Sequence, residues 1–356
     1  MARILVAMSG GVDSSVAAAL LQEQGHEVIG GFMQVFDYSK GCDDDFGSCC
    51  SPQDCADARR VAEILDFPFY TFNMEEVFKK KVIDYFIAEY LKGRTPNPCI
   101  YCNSALKFEY LLQKAVSFGA DYIATGHYAI TEQHETTVLK RGVDSTKDQS
   151  YFLFNLAPEQ LKKILFPLGG FTKTEIREMA RKYQLPIAEK EESQEICFVP
   201  DDDYGAFIEK NVEPKDIKKG NMKTEDGKVL CKHDGIHRFT IGQRKGLGVA
   251  MGYPAYVTKI DAESGDVIIG KKEGLYTTKL TVENLNFLDE KYLQKTNFDA
   301  LVQIRYRSQA RAGKVVLDEQ GTAEVTLEEE VLSVTPGQAA VFYEEDRVIG
   351  GGWIVK

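Results

Sequence analysis

The stretch that decides the fold is Ala2-Arg3-Ile4-Leu5-Val6-Ala7-Met8-Ser9-Gly10-Gly11-Val12-Asp13-Ser14-Ser15. The apolar run at 4–8 reads as a buried strand, Ser9-Gly10-Gly11 as a tight loop, and the Ala-rich run from Val12 to Leu21 as a helix. A glycine pair between a strand and a helix lets backbone N–H groups close on an anion, and the helix N-terminus adds its partial positive charge. Asp13, Ser14 and Ser15 fall at the helix start, with oxygens that could meet a metal or a phosphate. The plainer reading is a capped helix after a glycine turn.

Outward from this unit the pattern repeats. Strand-like runs at 27–33, 69–73 and 121–126 alternate with amphipathic helices at 51–65, 77–91 and 105–118, which predicts an α/β fold with a parallel sheet. In such sheets ligands bind beyond the carboxyl ends of the strands. That rule gathers the 9–15 loop, Met33, the segment around Cys99, and Gly126-His127 on one rim. From about residue 212 the helical periodicity fades. Short strands at 257–260, 267–269, 280–282, 300–306, 314–317, 323–327, 339–343 and 348–354 take over, separated by Gly, Asp and Asn. The expected organisation is a Rossmann-like domain at 1–203, a small central domain at 204–272 and an antiparallel β-barrel at 273–356.

The 356 residues carry 44% hydrophobic and 27% charged side chains, the balance of a soluble protein. No apolar run reaches the length of a membrane span, and the first strand begins too early to leave room for a signal peptide. A cytoplasmic location is the expectation, and with it reduced cysteines. The eight cysteines then read as chemistry or metal ligation rather than a disulfide framework. A net charge of −11 means that any nucleic-acid contact must use local basic patches. Such patches exist at His237-Arg238, at Arg244-Lys245-Gly246, and at Arg305-Tyr306-Arg307 with Arg311 and Lys314. They combine cations with an aromatic, which suits phosphates and a splayed base.

Two further stretches carry chemistry. In Arg94-Thr95-Pro96-Asn97-Pro98-Cys99-Ile100-Tyr101-Cys102-Asn103 the prolines predict an extended loop that presents both cysteines before the next helix. A helix N-terminus there would favour the thiolate. Half of a zinc site is the alternative, but no second C-x-x-C or His pair lies at a suitable spacing. Cys197 comes after Ser193-Gln194-Glu195-Ile196, between acidic and apolar runs. Cys42, Cys49, Cys50 and Cys55 form another group, which reads as a solvated loop closing over the site at the strand ends plus a helix-face cysteine, with metal binding or sulfur relay as the alternative.

Ser9–Ser15 resembles the pyrophosphate loop of ATP pyrophosphatases, the adenine nucleotide α-hydrolase type of fold. Joined by Thr95–Asn103, Thr125-Gly126-His127-Tyr128, Lys147-Asp148-Gln149-Ser150-Tyr151, 193–198 and Thr240–Gly248, it closely resembles the bacterial tRNA-specific 2-thiouridylases along essentially the whole chain. That resemblance implies a tRNA-uridine 2-sulfurtransferase acting at the wobble uridine, U34. ATP with Mg²⁺ would adenylate the C2 oxygen, and a cysteine persulfide would then deliver sulfur, giving 2-thiouridine, AMP and pyrophosphate. It implies ATP contacts at Met8, Ser9, Gly10, Gly11, Val12, Asp13, Ser14, Ser15, Met33 and Gly126. Cys197 matches the persulfide cysteine and Cys102 the partner nucleophile, able to form a disulfide with it during the cycle. His127, Lys147, Asp148, Gln149, Arg305, Tyr306 and Gln338 match positions that touch tRNA. Implied partners are tRNAs for Lys, Glu and Gln and a cysteine desulfurase or sulfur-relay donor, with no need for more than one subunit.

One position departs from the pattern. Well-known members carry Asp where this chain has Cys99, so an acid's role there is in doubt. Cys99, Cys102 and Cys197 could instead hold three corners of a [4Fe–4S] cluster, or the thiol at 99 could relay sulfur or be a tolerated replacement. Two other readings compete: a ligase adenylating a small molecule, which leaves the cysteines idle, and a metal-bearing RNA-binding protein without catalysis, which wastes the loop.

Overall fold

The computed structural model describes residues 1–36, 51–133, 136–191 and 196–356. Cys42, Cys49, Cys50 and the 193–195 part of the Cys197 motif lie outside the described residues. The chain opens with β1 (Arg3–Met8), β2 (Glu27–Gln34), β3 (Phe69–Asn73) and β4 (Tyr122–Ala124). A hairpin, β5 (Ala129–Gln133) and β6 (Thr137–Arg141), precedes the short β7 (Ile164–Leu165). Strands β3-β2-β1-β4-β7 form the expected parallel sheet. Along β1, Ile4, Val6 and Met8 pack into one hydrophobic cluster while Leu5 and Ala7 pack into another. Both faces are therefore buried, as a parallel sheet requires.

The helix Val12–Glu23 comes directly after β1 and stops at Gly25, whose φ of +83° a β-carbon would resist. The Gly25 and His26 N–H groups close the end on the Gln22 and Leu21 carbonyls. Three features differ from the sequence expectation. The helix expected at 105–118 begins at Pro98, because proline at the first helical position is favourable there rather than obstructive. It runs on as a π-helical turn, Cys102–Phe108, into Glu109–Ser117. The helix Lys173–Lys182, capped reciprocally by Thr172 and Glu175, is an addition to the expected set.

The central sheet has order β10-β11-β8-β9, from β8 (Gly220–Thr224), β9 (Val229–His233), β10 (Tyr256–Asp261) and β11 (Asp266–Gly270). It surrounds its own small core of Met222, Ile236, Phe239, Val257, Val267 and Ile269. The last six strands are β12 (Tyr276–Phe287), β13 (Asn297–Gln303), β14 (Arg311–Leu317), β15 (Ala323–Leu332), β16 (Ala339–Glu344) and β17 (Arg347–Ile354). They close into an antiparallel barrel because β12 pairs with β15 through its first half and with β17 through its second. A register shift between Glu283 and Asn286, with Asn284 at φ 52°, makes that turn. Strand β13 ends at Gln303, so Arg305 and Tyr306, expected in a strand, stand in a turn.

The barrel does not stand apart. The hairpin β5–β6 extends it at β17 through the Arg347–Lys140 pair, and Arg141 lies 3.6 Å above the Tyr343 ring. Barrel residues Ala339, Val341, Tyr343, Val348 and Trp353 share one hydrophobic cluster with the first domain. Among the described residues no helix is long and apolar enough to cross a membrane.

Candidate active site

The chain reverses its direction of strand addition at β1: β2 and β3 lie to one side, β4 and β7 to the other. A crevice forms beyond the strand ends at such a point, and the loop 9–11 occupies it. Gly11 is the N-cap of the first helix and makes no side-chain cap. The first-turn N–H groups are therefore left for an anion. The serine oxygens expected to face a ligand turn inward instead. Ser14 Oγ accepts from Ser9 N at 3.0 Å, and Ser15 Oγ donates to the Gly11 carbonyl at 2.8 Å. Both serines are buried and brace the loop from within. Gly10 has φ +72°, and a β-carbon there would stand 2.2 Å from the Asp54 carbonyl oxygen. At Gly126 a β-carbon would stand 2.7 Å from Ser14 N, so the end of β4 closes directly on the first turn of the helix. Met8, Val12 and Met33 are buried beside the crevice.

Two lysines that sequence reasoning missed hold this loop. Lys173 Nζ donates to Asp13 Oδ1 at 2.7 Å, and Tyr128 Oη donates to the same oxygen at 2.8 Å. Lys173 is the first residue of its helix, where the dipole disfavours a cation, and its side chain is only 11% exposed. The pattern Thr172-Lys173-Thr174-Glu175, a capping-box spacing, was the available signal for its position. Asp144 accepts the Lys173 backbone N–H, and Gln149 exchanges two bonds with the Tyr128 backbone. The 144–149 segment is thereby tied to Asp13. Lys190 Nζ donates to the Gly10 carbonyl at 3.1 Å and to Asp54 and Asp57 at 2.6 Å each. Burial presses its ammonium toward neutrality, but the two carboxylates outweigh this and raise its pKa.

The cysteines part company. Cys102 and Cys197 are half-buried and pack against the same hydrophobic cluster. Phe198 anchors the second, with ring centroids 5.1 Å from Phe86, 5.5 Å from Phe207 and 5.6 Å from Phe78. Cys99, one turn earlier on the helix that starts at Pro98, is exposed. Among the described residues no group of three or more His, Cys, Asp or Glu is placed to hold a metal ion. Cys99 and Cys102 both lie in the helical run that begins at Pro98, where a loop was expected. Cys55 meets Thr71 at 3.6 Å, as a helix-face residue.

The expected RNA-facing residues also divide. His127 is buried between the Phe108 and Phe166 rings and bonded to Thr125 at 2.7 Å. Burial holds its pKa well below the usual histidine value, so it is neutral. Asp148 is buried on Arg141, Gly142 and Ser150. Lys147, Gln149, Tyr306 and Gln338 are half-exposed and Arg305 is exposed. Tyr306 rests on Phe152, 4.3 Å between centroids. The basic patch expected at His237-Arg238 is occupied internally: Arg238 grips Glu209 at 2.6 and 2.7 Å, and buried His237 bonds the same carboxylate. Arg244 and Lys245 stay exposed, and Arg244, Leu247 and Tyr253 line an open cleft of about 710 Å³.

The family described as the tRNA methyl transferase HUP domain matches residues 2–201. The tRNA methyl transferase PRC-barrel domain matches 205–271, and the aminomethyltransferase beta-barrel domain matches 277–354. The tRNA-specific 2-thiouridylase MnmA of Geotalea uraniireducens is 53% identical, over 99% of this chain and 94% of that protein. The same-named proteins of Geobacter metallireducens and Carboxydothermus hydrogenoformans are 51% and 48% identical, each over 99% of this chain and over 96% and 98% of their own lengths.

Proposed function

This chain belongs to the tRNA-specific 2-thiouridylase family, and from that premise we propose how its residues divide the reaction. It is a sulfurtransferase that binds ATP and 2-thiolates a uridine of tRNA. The observation that carries our residue assignment is the uncapped helix N-terminus at Gly11, set at the switch point of the sheet with Lys173 beside it. In our reading the N–H groups of the 9–15 loop bind the pyrophosphate portion of ATP. Lys173 stands ready to offset charge that develops there, while Met8, Met33 and Gly126 shape the floor. An ion with one carboxylate ligand and several phosphate ligands suits this donor set, with Asp13 as the carboxylate. Magnesium, when bound with the nucleotide, would supply charge neutralisation.

The chemistry then runs in two stages. The uracil C2 oxygen attacks the α-phosphorus, and the bond to the β-phosphate breaks with release of pyrophosphate. The terminal sulfur of a Cys197 persulfide attacks C2, and the C2–O bond breaks with release of AMP. Attack of the Cys102 thiolate on Cys197 Sγ cleaves the S–S bond, leaving sulfur on C2 and a Cys102–Cys197 disulfide for an external thiol to reduce. These steps follow the persulfide route and need no iron–sulfur cluster.

On the RNA side we assign phosphate and base contacts to Arg305, Tyr306, Lys147, Gln149 and Gln338, and to the Arg244-Lys245 loop. His127 and Asp148 act beneath that surface. We take the wobble uridine of tRNAs for Lys, Glu and Gln as the target, a cysteine desulfurase or relay protein as donor, and the reducing cytoplasm as the setting. Thiolation of such a transcript with ATP and a persulfide donor should be lost in Cys102→Ser and Cys197→Ser. Full activity of either variant would refute the assignment.

A further inference from the structure

The ten residues that end at Cys102 are held by both of the other domains. Thr95 lies three residues before Pro98, the first residue of the cysteine helix. Its N–H donates to the Pro336 carbonyl at 2.8 Å, and its own carbonyl accepts from Gln338 Nε2 at 2.8 Å, both from the barrel. Its hydroxyl donates to Thr240 Oγ1 of the central domain at 3.1 Å. The backbones meet as closely as side chains allow. A β-carbon on Gly337 would stand 2.9 Å from Thr95 N, and one on Gly93 would stand 2.7 Å from Ile260 of the central sheet. At the other end of the segment, Tyr101 stacks on Trp353 of β17 at 4.8 Å and 14°. Tyr85 meets both rings, 4.0 Å from Tyr101 and 6.2 Å from Trp353.

The contacts fall next to the residues we assign to RNA. Gln338 is one of them, and Thr240 leads directly into the Arg244-Lys245 loop. We propose that residues 93–102 are a junction through which RNA docked on the barrel and central domains sets the position of Cys102, with Thr95 and Tyr101 as positioning residues. The proposal rests on the reading of Cys102 as the nucleophile. A displacement of about 1 Å at a reacting group can cost two orders of magnitude in rate, so a contact two or three turns of chain away is sufficient to gate chemistry. The device would make sulfur transfer contingent on a seated tRNA and spare the persulfide from water or stray thiols.

The test compares wild type, Cys102→Ser, Thr95→Val, Thr95→Ser, Tyr101→Leu and Tyr101→Phe in thiolation of a tRNA transcript with ATP and a persulfide donor. Trp353 is the only tryptophan, so its emission reports the Tyr101 stack directly. Thr95→Val should lower kcat about fivefold, as expected for loss of one hydrogen bond. Tyr101→Leu should lower it about tenfold. In both, the KM for tRNA should stay within about twofold, and Ser and Phe should restore kcat. Saturating tRNA should change Trp353 emission in wild type and not in Tyr101→Leu. Unchanged kcat, an effect confined to KM, or no rescue by Ser and Phe would overturn the junction while the functional reading stands. An active Cys102→Ser, or a wild type that forms no 2-thiouridine, would instead overturn the reading on which the junction depends.

Discussion

The loop 9–15 and the segment 93–102 are both short, glycine- or proline-marked and next to a helix start, yet they are held in opposite ways. The first is knit from within: Ser9, Gly11, Ser14 and Ser15 bond one another, and Lys190, Asp54 and Lys173 brace it from the same domain. The second has its main anchors in other domains, at Pro336, Gln338, Thr240 and Trp353. A loop that binds a mobile nucleotide benefits from being preformed. A nucleophile that must wait for a large RNA benefits from being set by the surfaces that the RNA touches. The contrast predicts that damage to the first region acts on ATP and damage to the second acts on sulfur transfer.

The largest effect should come from Cys102→Ser, which we expect to lower thiolation by about a thousandfold while ATP affinity changes less than about twofold. A parallel loss of ATP binding, measured by calorimetry, would break the separation. Next, Lys173→Met should slow AMP and pyrophosphate formation by about a hundredfold, the scale of removing one preorganised charge from a developing anion. Its thiolation of pre-adenylated RNA should be unaffected, and a loss there would merge the two regions.

The two regions also differ in how legible they are in the sequence. The strand, loop and helix at 4–21 are encoded by neighbours along the chain, so an apolar run, a Gly pair and an Ala-rich run suffice to place them. The role of the serines is not legible there, because an inward and an outward hydroxyl look alike in a sequence. Pro98 reads as a loop residue yet begins a helix, since proline suits both an extended strap and the first position of a helix. The pairings of Lys173 and Lys190 are invisible to sequence reasoning, for their partners Asp13 and Asp54 lie more than a hundred residues away. The same holds for Arg238, whose charge looks available until Glu209 is seen opposite it.

A smaller effect concerns pH. Burial is the first cause that lowers the pKa of His127, His233 and His237 in the folded chain, so each is held neutral there. The unfolded chain binds more protons between those lowered values and the ordinary histidine pKa near 6.5, and stability therefore falls as pH drops through that window. The melting temperature should be flat from about pH 7 to 8 and fall by a few degrees toward pH 5.5. His127→Gln should flatten that fall, and a fall unchanged in this variant would assign the acid sensitivity elsewhere. The smallest effect should be that of Cys99→Ser, which we expect to keep thiolation within about threefold of wild type, with iron content after anaerobic purification unaltered. Loss of iron and activity together would return Cys99 to the set of ligands.

The most direct measurement is a single turnover. Protein loaded with isotopically labelled persulfide sulfur would be mixed with tRNA and ATP, and the label tracked by mass spectrometry of nucleosides alongside AMP and pyrophosphate. The account predicts labelled 2-thiouridine, AMP and pyrophosphate in equal amounts, with Cys102 and Cys197 recovered as a disulfide-linked peptide pair. Label entering uridine without ATP cleavage, or in the absence of that disulfide, would contradict it.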